Sequence, residues 1–163
     1  MTNNGLRFLW ITALFLFLDQ VSKYIVVSEM AYRESISVLP FFNLTYVRNT
    51  GAAFSFLADA GGWQRWFFTI IAIVISIVIL IWLKKTPKAQ VRLCVAFTLI
   101  LSGAIGNVID RIRFGYVVDF LDFHWAGYNW PAFNVADSAI FVGALLLAID
   151  AFFPSPNADV SSV

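Results

Sequence analysis

Apolar residues are concentrated in four long stretches of the chain, separated by shorter polar or aromatic segments. The stretches cover about residues 6–27, 64–83, 91–110 and 134–153. Each approaches the roughly 20 residues that a helix rising about 1.5 Å per residue needs to cross a hydrocarbon core of roughly 30 Å. The pattern therefore predicts four transmembrane helices in a single integral membrane domain that covers residues 1–163.

Composition agrees with a membrane protein. Hydrophobic residues make up 60% of the 163 positions and charged residues only 13%, whereas soluble domains have about a quarter of their residues charged. The net charge of +1 provides no basic field for nucleic acid, so we expect no nucleic-acid partner. The single cysteine and single histidine exclude an internal disulfide and a zinc site of the usual composition.

The loops predict the orientation. An even number of spans places both termini on one side of the membrane. The short connection KKTPKAQVR at 84–92 is basic, and short basic loops face the cytoplasm. No small-residue cleavage site follows the first apolar run, so we expect it to be a retained span. The regions about 28–63 and 111–133 then lie outside, and the polar tail 154–163 is expected to be disordered.

Both outer regions are rich in aromatic residues. In residues 36–58, β-branched and aromatic residues flank the turn signal Asn49-Thr50-Gly51, which predicts a small sheet or hairpin on the membrane surface. Residues 111–133 contain eight aromatic side chains, a density typical of the headgroup region. These rings either anchor the protein or hold a lipid-bearing substrate.

Several polar residues fall within or at the ends of the predicted spans, where ionised groups are costly. Asp19 and Lys23 are four residues apart, so they share one helix face and can form an ion pair. Such a pair would also serve simply to lock the bundle.

In the third span, small and polar residues form one stripe: Gly103, Gly106, Asn107 and Asp110. The glycines allow a neighbouring helix to approach closely, and the polar pair then points into the bundle near its outer end. An ion pair at the helix end is an alternative role for Asp110 and Arg111.

Two carboxyl groups are candidates for acid–base chemistry. Asn134 can cap the fourth span, with Asp137 three residues on in the arrangement of a capping box, which is also a sufficient structural role. Apolar residues flank Asp119, and burial raises the pKa of a carboxyl group. If the fold brings Asp119 and Asp137 together, they share one proton, as an aspartic peptidase requires. Asp122 is a possible substitute for either one.

Other hydrolytic centres have less support. The sequence has no HExxH motif and no G-x-S-x-G motif, which argues against zinc and serine peptidases. Cys94 is predicted near the inner side, far from His124. Carboxylates remain as the candidates for hydrolysis.

Five short blocks, taken together, resemble the motifs of bacterial lipoprotein signal peptidases (signal peptidase II). They occur in order between residues 19 and 138, and the length and four-span pattern agree. The blocks are Asp19-Gln-Val-Ser-Lys23, Asn49-Thr-Gly51-Ala-Ala-Phe54-Ser, Gly103-Ala-Ile-Gly106-Asn107-Val-Ile-Asp110-Arg111, Val117-Val-Asp119-Phe120 and Phe133-Asn134-Val-Ala136-Asp137-Ser138.

The resemblance implies an aspartic endopeptidase of the inner membrane, with its site at the periplasmic face. It would remove signal peptides from diacylglyceryl-modified prolipoproteins by cutting just before the lipidated cysteine. The implied fold is all-α, with four transmembrane helices, a small periplasmic β-cradle and a short periplasmic surface helix. No metal or other cofactor is implied, and we expect a monomer whose partners are the precursors and membrane lipids.

The resemblance also assigns residues to the site. Asp119 and Asp137 match the catalytic pair. Other matched positions would shape the site or contact substrate, and we add Asp110 from the same blocks: Asp19, Lys23, Asn49, Gly51, Gly103, Asn107, Asp110, Arg111, Asn134 and Ala136. Two alternatives remain from the residues alone. One is a small ion-coupled carrier that uses Asp19, Asp110 and Asp137 as relay groups, and the other is a structural subunit without chemistry.

Overall fold

The computed structural model describes residues 3–51 and 61–153. A 3₁₀ turn, Gly5–Phe8, leads into the first helix. The helices are α1 (Leu9–Glu29), α2 (Trp63–Lys85), α3 (Val91–Phe114) and α4 (Val135–Phe152), and the strands are β1 (Ser35–Leu39), β2 (Phe42–Asn49), β3 (Val117–Trp125) and β4 (Tyr128–Asn129).

The four helices confirm the predicted spans as elements, since within the described residues all four are long and apolar enough to cross a membrane. Helix α3 is the centre of the bundle and packs against the other three. Its apolar span is 67% buried inside the protein, whereas those of the other helices are 17–22% buried. The other helices therefore present most of their surface outward, as lipid-facing helices do. Helix α3 continues four residues beyond the predicted 110 and ends at Gly115, whose φ of 85° suits a glycine cap.

Small residues set the distance between α3 and its neighbours. A Cβ atom at Gly103 would overlap the carbonyl oxygen of Ala136 on α4, and one at Gly106 would lie 2.5 Å from Asp19 Oδ2 on α1. The expected role of these glycines in close helix packing is confirmed. Because of this packing, the polar end of α3 directly contacts both α1 and α4.

A four-stranded antiparallel sheet in the order β1-β2-β3-β4 covers one end of the bundle. A hydrophobic cluster attaches it to α1, with Val26 from the helix, Met30 directly after it, and Tyr46, Val118 and Phe120 from the strands. The predicted small sheet is confirmed. Its β1–β2 hairpin turns at Pro40 and Phe41, however, whereas the turn signal at Asn49-Thr50-Gly51 follows the end of β2. The proposed second arm of a hairpin there, residues 52–58, lies outside the described residues.

Strand β3 is the main element that the sequence did not reveal. Residues 117–125 were interpreted only as part of an aromatic interfacial region, but they form the longest of the described strands and pair with β2. Residues 28–51 and 115–134 contain no short surface helix. The rest of the helix expectation, over 52–60, and the expected disordered tail 154–163 both lie outside the described residues.

Candidate active site

Buried charged groups meet where α1 and α3 approach each other below the sheet. Lys23 Nζ lies 3.0 Å from Asp19 Oδ2 and 2.9 Å from Asp110 Oδ2. All three side chains are at least 97% buried. The i,i+4 ion pair expected between Asp19 and Lys23 is therefore present. Asp110 pairs with Lys23 across the helix interface, which replaces the alternative of a helix-end pair with Arg111.

The two carboxylates of this cluster also bind backbone groups of neighbouring elements. Asp19 Oδ1 accepts the N–H of Ala136 at 2.8 Å, and Asp110 Oδ2 accepts the N–H of Val118 at 3.0 Å. The start of α4 and the start of β3 are thus each held by a buried carboxylate. Gln20, which the sequence analysis missed, donates its amide to both Asp19 and Asp110 at 3.1 and 3.3 Å. The only local sequence feature that could have indicated a role for Gln20 is its polar side chain inside an apolar stretch.

Asn107 connects the charged cluster to Asp137. Its Oδ1 accepts from Lys23 Nζ at 3.1 Å, and its Nδ2 donates to Asp137 Oδ1 at 2.8 Å. Because an ammonium group only donates, the Lys23 contact fixes which end of the Asn107 amide faces Asp137. Lys23 therefore orients a hydrogen-bond donor toward this carboxyl group.

Asn134 links Asp137 to Asp119. Its Oδ1 accepts the backbone N–H of Asp137 at 2.8 Å, which confirms the predicted helix cap. Its Nδ2 donates to Asp119 Oδ1 at 2.7 Å. The side chain of Asn134 is completely buried, and its one amide contacts both candidate residues, the carboxyl group of Asp119 and the backbone N–H of Asp137. The structure thereby brings the two predicted residues to one place, although they belong to different elements.

Asp119 is only 2% exposed. Asn49 Nδ2 donates to its Oδ2 at 3.0 Å, so both of its oxygens accept a hydrogen bond from an amide. Burial first, and then the charge of Asp137, raise its pKa from 3.8 to about 7, against the lowering effects of Asn49, Asn134 and Lys23. Asp119 therefore changes protonation near neutral pH, the range in which an acid–base catalyst works best.

Arg111 closes the side of the site next to Asn49. Its Nη2 donates to the carbonyl oxygen of Gly51 at 2.9 Å, and its guanidinium lies over the ring of Phe68. Gly51 N–H in turn donates to Asn49 Oδ1 at 3.0 Å. With one amide end of Asn49 held in this turn, its other end faces Asp119. All the predicted site residues therefore belong to one connected group of contacts.

Other candidates lie outside this group. Asp122 accepts a hydrogen bond from the Thr45 hydroxyl at 2.7 Å, and a separation of three residues along β3 places it on the face opposite to Asp119. His124 lies further along β3, and its N–H donates to the carbonyl of Phe41. Cys94 is buried near Pro87 at the other end of the bundle. Over residues 3–51 and 61–153 there is no group of three or more His, Cys, Asp or Glu side chains that could hold a metal ion.

The fold and the site together define a small membrane protein of four spanning helices, with one buried and one partly buried aspartate held between a sheet and the bundle. A family model described as "Signal peptidase (SPase) II" matches residues 11–153. A lipoprotein signal peptidase of Alteromonas mediterranea is 66% identical over 91% of this chain and 81% of that protein. One of Shewanella amazonensis is 54% identical over 96% of this chain and 93% of that protein.

Solved structures agree with these relatives. A bacterial membrane enzyme solved by the in meso method at 2.3 Å resolution matches 100% of this chain and 99% of its own, with a TM-score of 0.84 and 35% identity. The chain therefore belongs to the signal peptidase II family and is a membrane-embedded peptidase. That finding removes the carrier and the structural subunit as alternatives.

Proposed function

We propose that Asp119 and Asp137 form the catalytic pair of an aspartic peptidase. The observation that carries this proposal is the single amide of Asn134, which contacts Asp119 through Nδ2 and the Asp137 backbone through Oδ1. Two carboxyl groups held together in a buried site share one proton. The pKa of about 7 at Asp119 supports this division of one proton between two groups.

The reaction follows from the shared proton. The ionised carboxylate takes a proton from a water molecule as the water oxygen bonds to the scissile carbonyl carbon, and the protonated carboxyl donates to the carbonyl oxygen. When the resulting tetrahedral intermediate collapses, the carbon–nitrogen bond breaks and the leaving amine takes up a proton from the pair. Lys23 and the asparagines do not exchange protons in these steps; they hold the carboxyl groups in position.

The substrate that we propose is a prolipoprotein whose signal peptide is followed by a diacylglyceryl-modified cysteine, with the cut just before that cysteine. The relatives are named lipoprotein signal peptidases, and the site lies at an end of the spanning helices, where lipid and water meet. Each acyl CH₂ buried against the outward apolar helix faces contributes roughly 0.8 kcal/mol to docking. Binding therefore depends strongly on the lipid.

Cleavage by single variants tests the proposal. The purified chain in detergent is incubated with a diacylglyceryl-modified precursor peptide and with its unlipidated twin. Asp119→Asn and Asp137→Asn should each reduce cleavage of the lipidated peptide by about 10²–10⁴-fold. Asp122→Asn is the matched control, since it removes a carboxylate from the same strand on the opposite face, and it should keep its activity. Substantial cleavage by either of the first two variants refutes the assignment.

We further propose that both termini are cytoplasmic and that the site faces the periplasm. The basic residues of the 84–92 loop support this orientation. Labelling of single cysteines in a Cys94→Ser background tests it. A membrane-impermeant maleimide added to the periplasmic side should modify Tyr128→Cys, at a position 82% exposed on β4, but not Lys88→Cys. The reverse pattern contradicts the orientation.

A further inference from the structure

Two arginines share one aromatic ring at the site end of the bundle. The guanidinium carbon of Arg48 lies 4.6 Å from the ring centre of Tyr32, and that of Arg33 lies 5.3 Å from the same centre. Arg48 also lies over Tyr46 and Tyr116, at 5.4 and 5.1 Å. Both arginines are exposed. The Nε–H of Arg48 donates to the Tyr46 hydroxyl at 3.1 Å. Rings that bind the flat face of a guanidinium leave its outer Nη–H groups free for a ligand.

The backbone holds Arg33 in this place. Its φ of 69° lies in the left-handed region, which a residue with a side chain seldom adopts. The Arg33 N–H donates to the carbonyl of Tyr46 at 3.0 Å, so the strained turn is pinned to β2. Strain of this kind in a non-glycine residue is found preferentially at functional sites.

Neither guanidinium of this pair forms an ion pair with a carboxylate within residues 3–51 and 61–153. The two guanidinium carbons lie within about 10 Å of each other, comparable to the Debye length of about 8 Å at physiological ionic strength. The ion pairs of the described part of the chain join other residues. Glu34, the nearest carboxylate in sequence, is directed to the backbone N–H of Ala31 at 2.7 Å and does not form an ion pair with either arginine. Tyr116 stays neutral, since burial and the hydrogen bond to Tyr46 raise its pKa to about 12.

The position of the two arginines relative to the membrane favours a lipid as the ligand. Helix α1 has 21 residues and is therefore roughly 30 Å long, about the thickness of the hydrocarbon core. Tyr32 and Arg33 follow within four residues of its end, and the Tyr32 ring is 45% exposed. This level is that of the phospholipid headgroups, whose phosphates match the fork of a guanidinium.

We propose that Arg33 and Arg48, assembled around Tyr32, form a binding site for the phosphate of an anionic membrane phospholipid. An anionic headgroup presents its phosphate to both cations without a cation of its own, whereas a zwitterionic headgroup adds a positive charge beside the two arginines. The site lies on the exposed surface between the turn after α1 and strand β2, whereas Asp119 is buried. It fixes the sheet end of the protein at the membrane surface.

Native mass spectrometry of the detergent-purified full chain tests this site. Dissociation constants are measured for phosphatidylglycerol and for phosphatidylcholine of the same acyl chains. The unmodified protein should prefer phosphatidylglycerol. Arg33→Gln and Arg48→Gln should each weaken phosphatidylglycerol binding by about fivefold, the effect typical of one basic residue at an anionic surface, and leave phosphatidylcholine binding unchanged.

Controls make the test specific. Lys88→Gln removes a charge from the opposite end of the bundle and should have no effect on the preference. Arg33→Gln should cleave precursor peptide in detergent at the normal rate, which shows that the fold is intact. The proposal is overturned if both arginine variants keep the full preference, if Lys88→Gln loses it equally, or if inorganic phosphate alone displaces the lipid.

Discussion

Asp119→Asn should change the stability of the protein in opposite directions at low and at high pH. The Asp119 carboxyl has a pKa of about 7 in the folded chain instead of 3.8. Between these values the folded chain keeps a proton that the unfolded chain has released. Folding stability therefore falls as pH rises from about 4 to about 7. The free energy of unfolding falls by roughly 4 kcal/mol over this pH range, at about 1.4 kcal/mol for each pKa unit.

The substitution removes this pH-dependent cost but introduces another. Both oxygens of Asp119 accept an amide N–H, from Asn134 and from Asn49. The new amide has only one oxygen, so the N–H group of either Asn134 or Asn49 faces the new NH₂ group and loses its acceptor. This loss lowers the folding stability by about 1–3 kcal/mol. At pH 8 to 9 the variant should therefore be more stable than the unmodified protein by about 1–3 kcal/mol. At pH 4, where the native carboxyl is protonated, it should be less stable by a similar amount.

Thermal unfolding in detergent at several pH values measures the effect. For a chain of this size, about 1 kcal/mol corresponds to roughly 2–4 °C in Tm, so the two melting curves should cross between pH 4 and pH 8. A constant offset between the two proteins at every pH refutes the reasoning, since it would mean that Asp119 has an ordinary pKa in the folded chain.

Three further changes test the buried network. Lys23→Met should destabilise the protein by about 3–5 kcal/mol in thermal unfolding, because Asp19 and Asp110 lose their shared cation. The same change at exposed Lys84 is the control, and equal effects of the two would contradict the role given to the buried ammonium. Asn134→Ala should lower cleavage of lipidated peptide by about 100-fold, because both aspartates lose a positioning contact. Unchanged turnover would show that this amide does not position them. Gly106→Ala should cost about 1–3 kcal/mol, since the new methyl group would lie 2.5 Å from Asp19 Oδ2. Ala151→Val on the exposed face of α4 should cost much less, and similar losses would argue against tight packing at Gly106.

Features that depend on neighbouring residues could be predicted from the sequence. The spans follow from the length of the apolar runs. The Asp19–Lys23 pair follows from helical spacing, and the Asn134 cap from its place before an apolar run. The turn signal at Asn49 was also partly correct, because its side chain accepts the N–H of Gly51. This turn ends β2, however, and the hairpin turns ten residues earlier.

Features that depend on distant residues could not be predicted in this way. Strand β3 exists because it pairs with β2, with Val47 opposite Asp119 and Asn49 opposite Val117. Nothing local distinguishes such a segment from an aromatic surface loop. The contact of Gln20 with Asp110 likewise joins residues that are 90 positions apart along the chain. The resemblance of five motif blocks supplied what local patterns lacked, by grouping residues that meet only in the folded chain.

The position of Asn134 at the start of the last helix sets the order in which the enzyme can be completed. A chain emerging from the ribosome releases α1, the sheet strands and α3 before α4, so Asp119 is synthesised before its bridging amide and before the second acid. Under the proposed mechanism, a partly synthesised chain is unable to cut peptides while it is still entering the membrane. On that mechanism, proteolysis starts only when the final span has been synthesised.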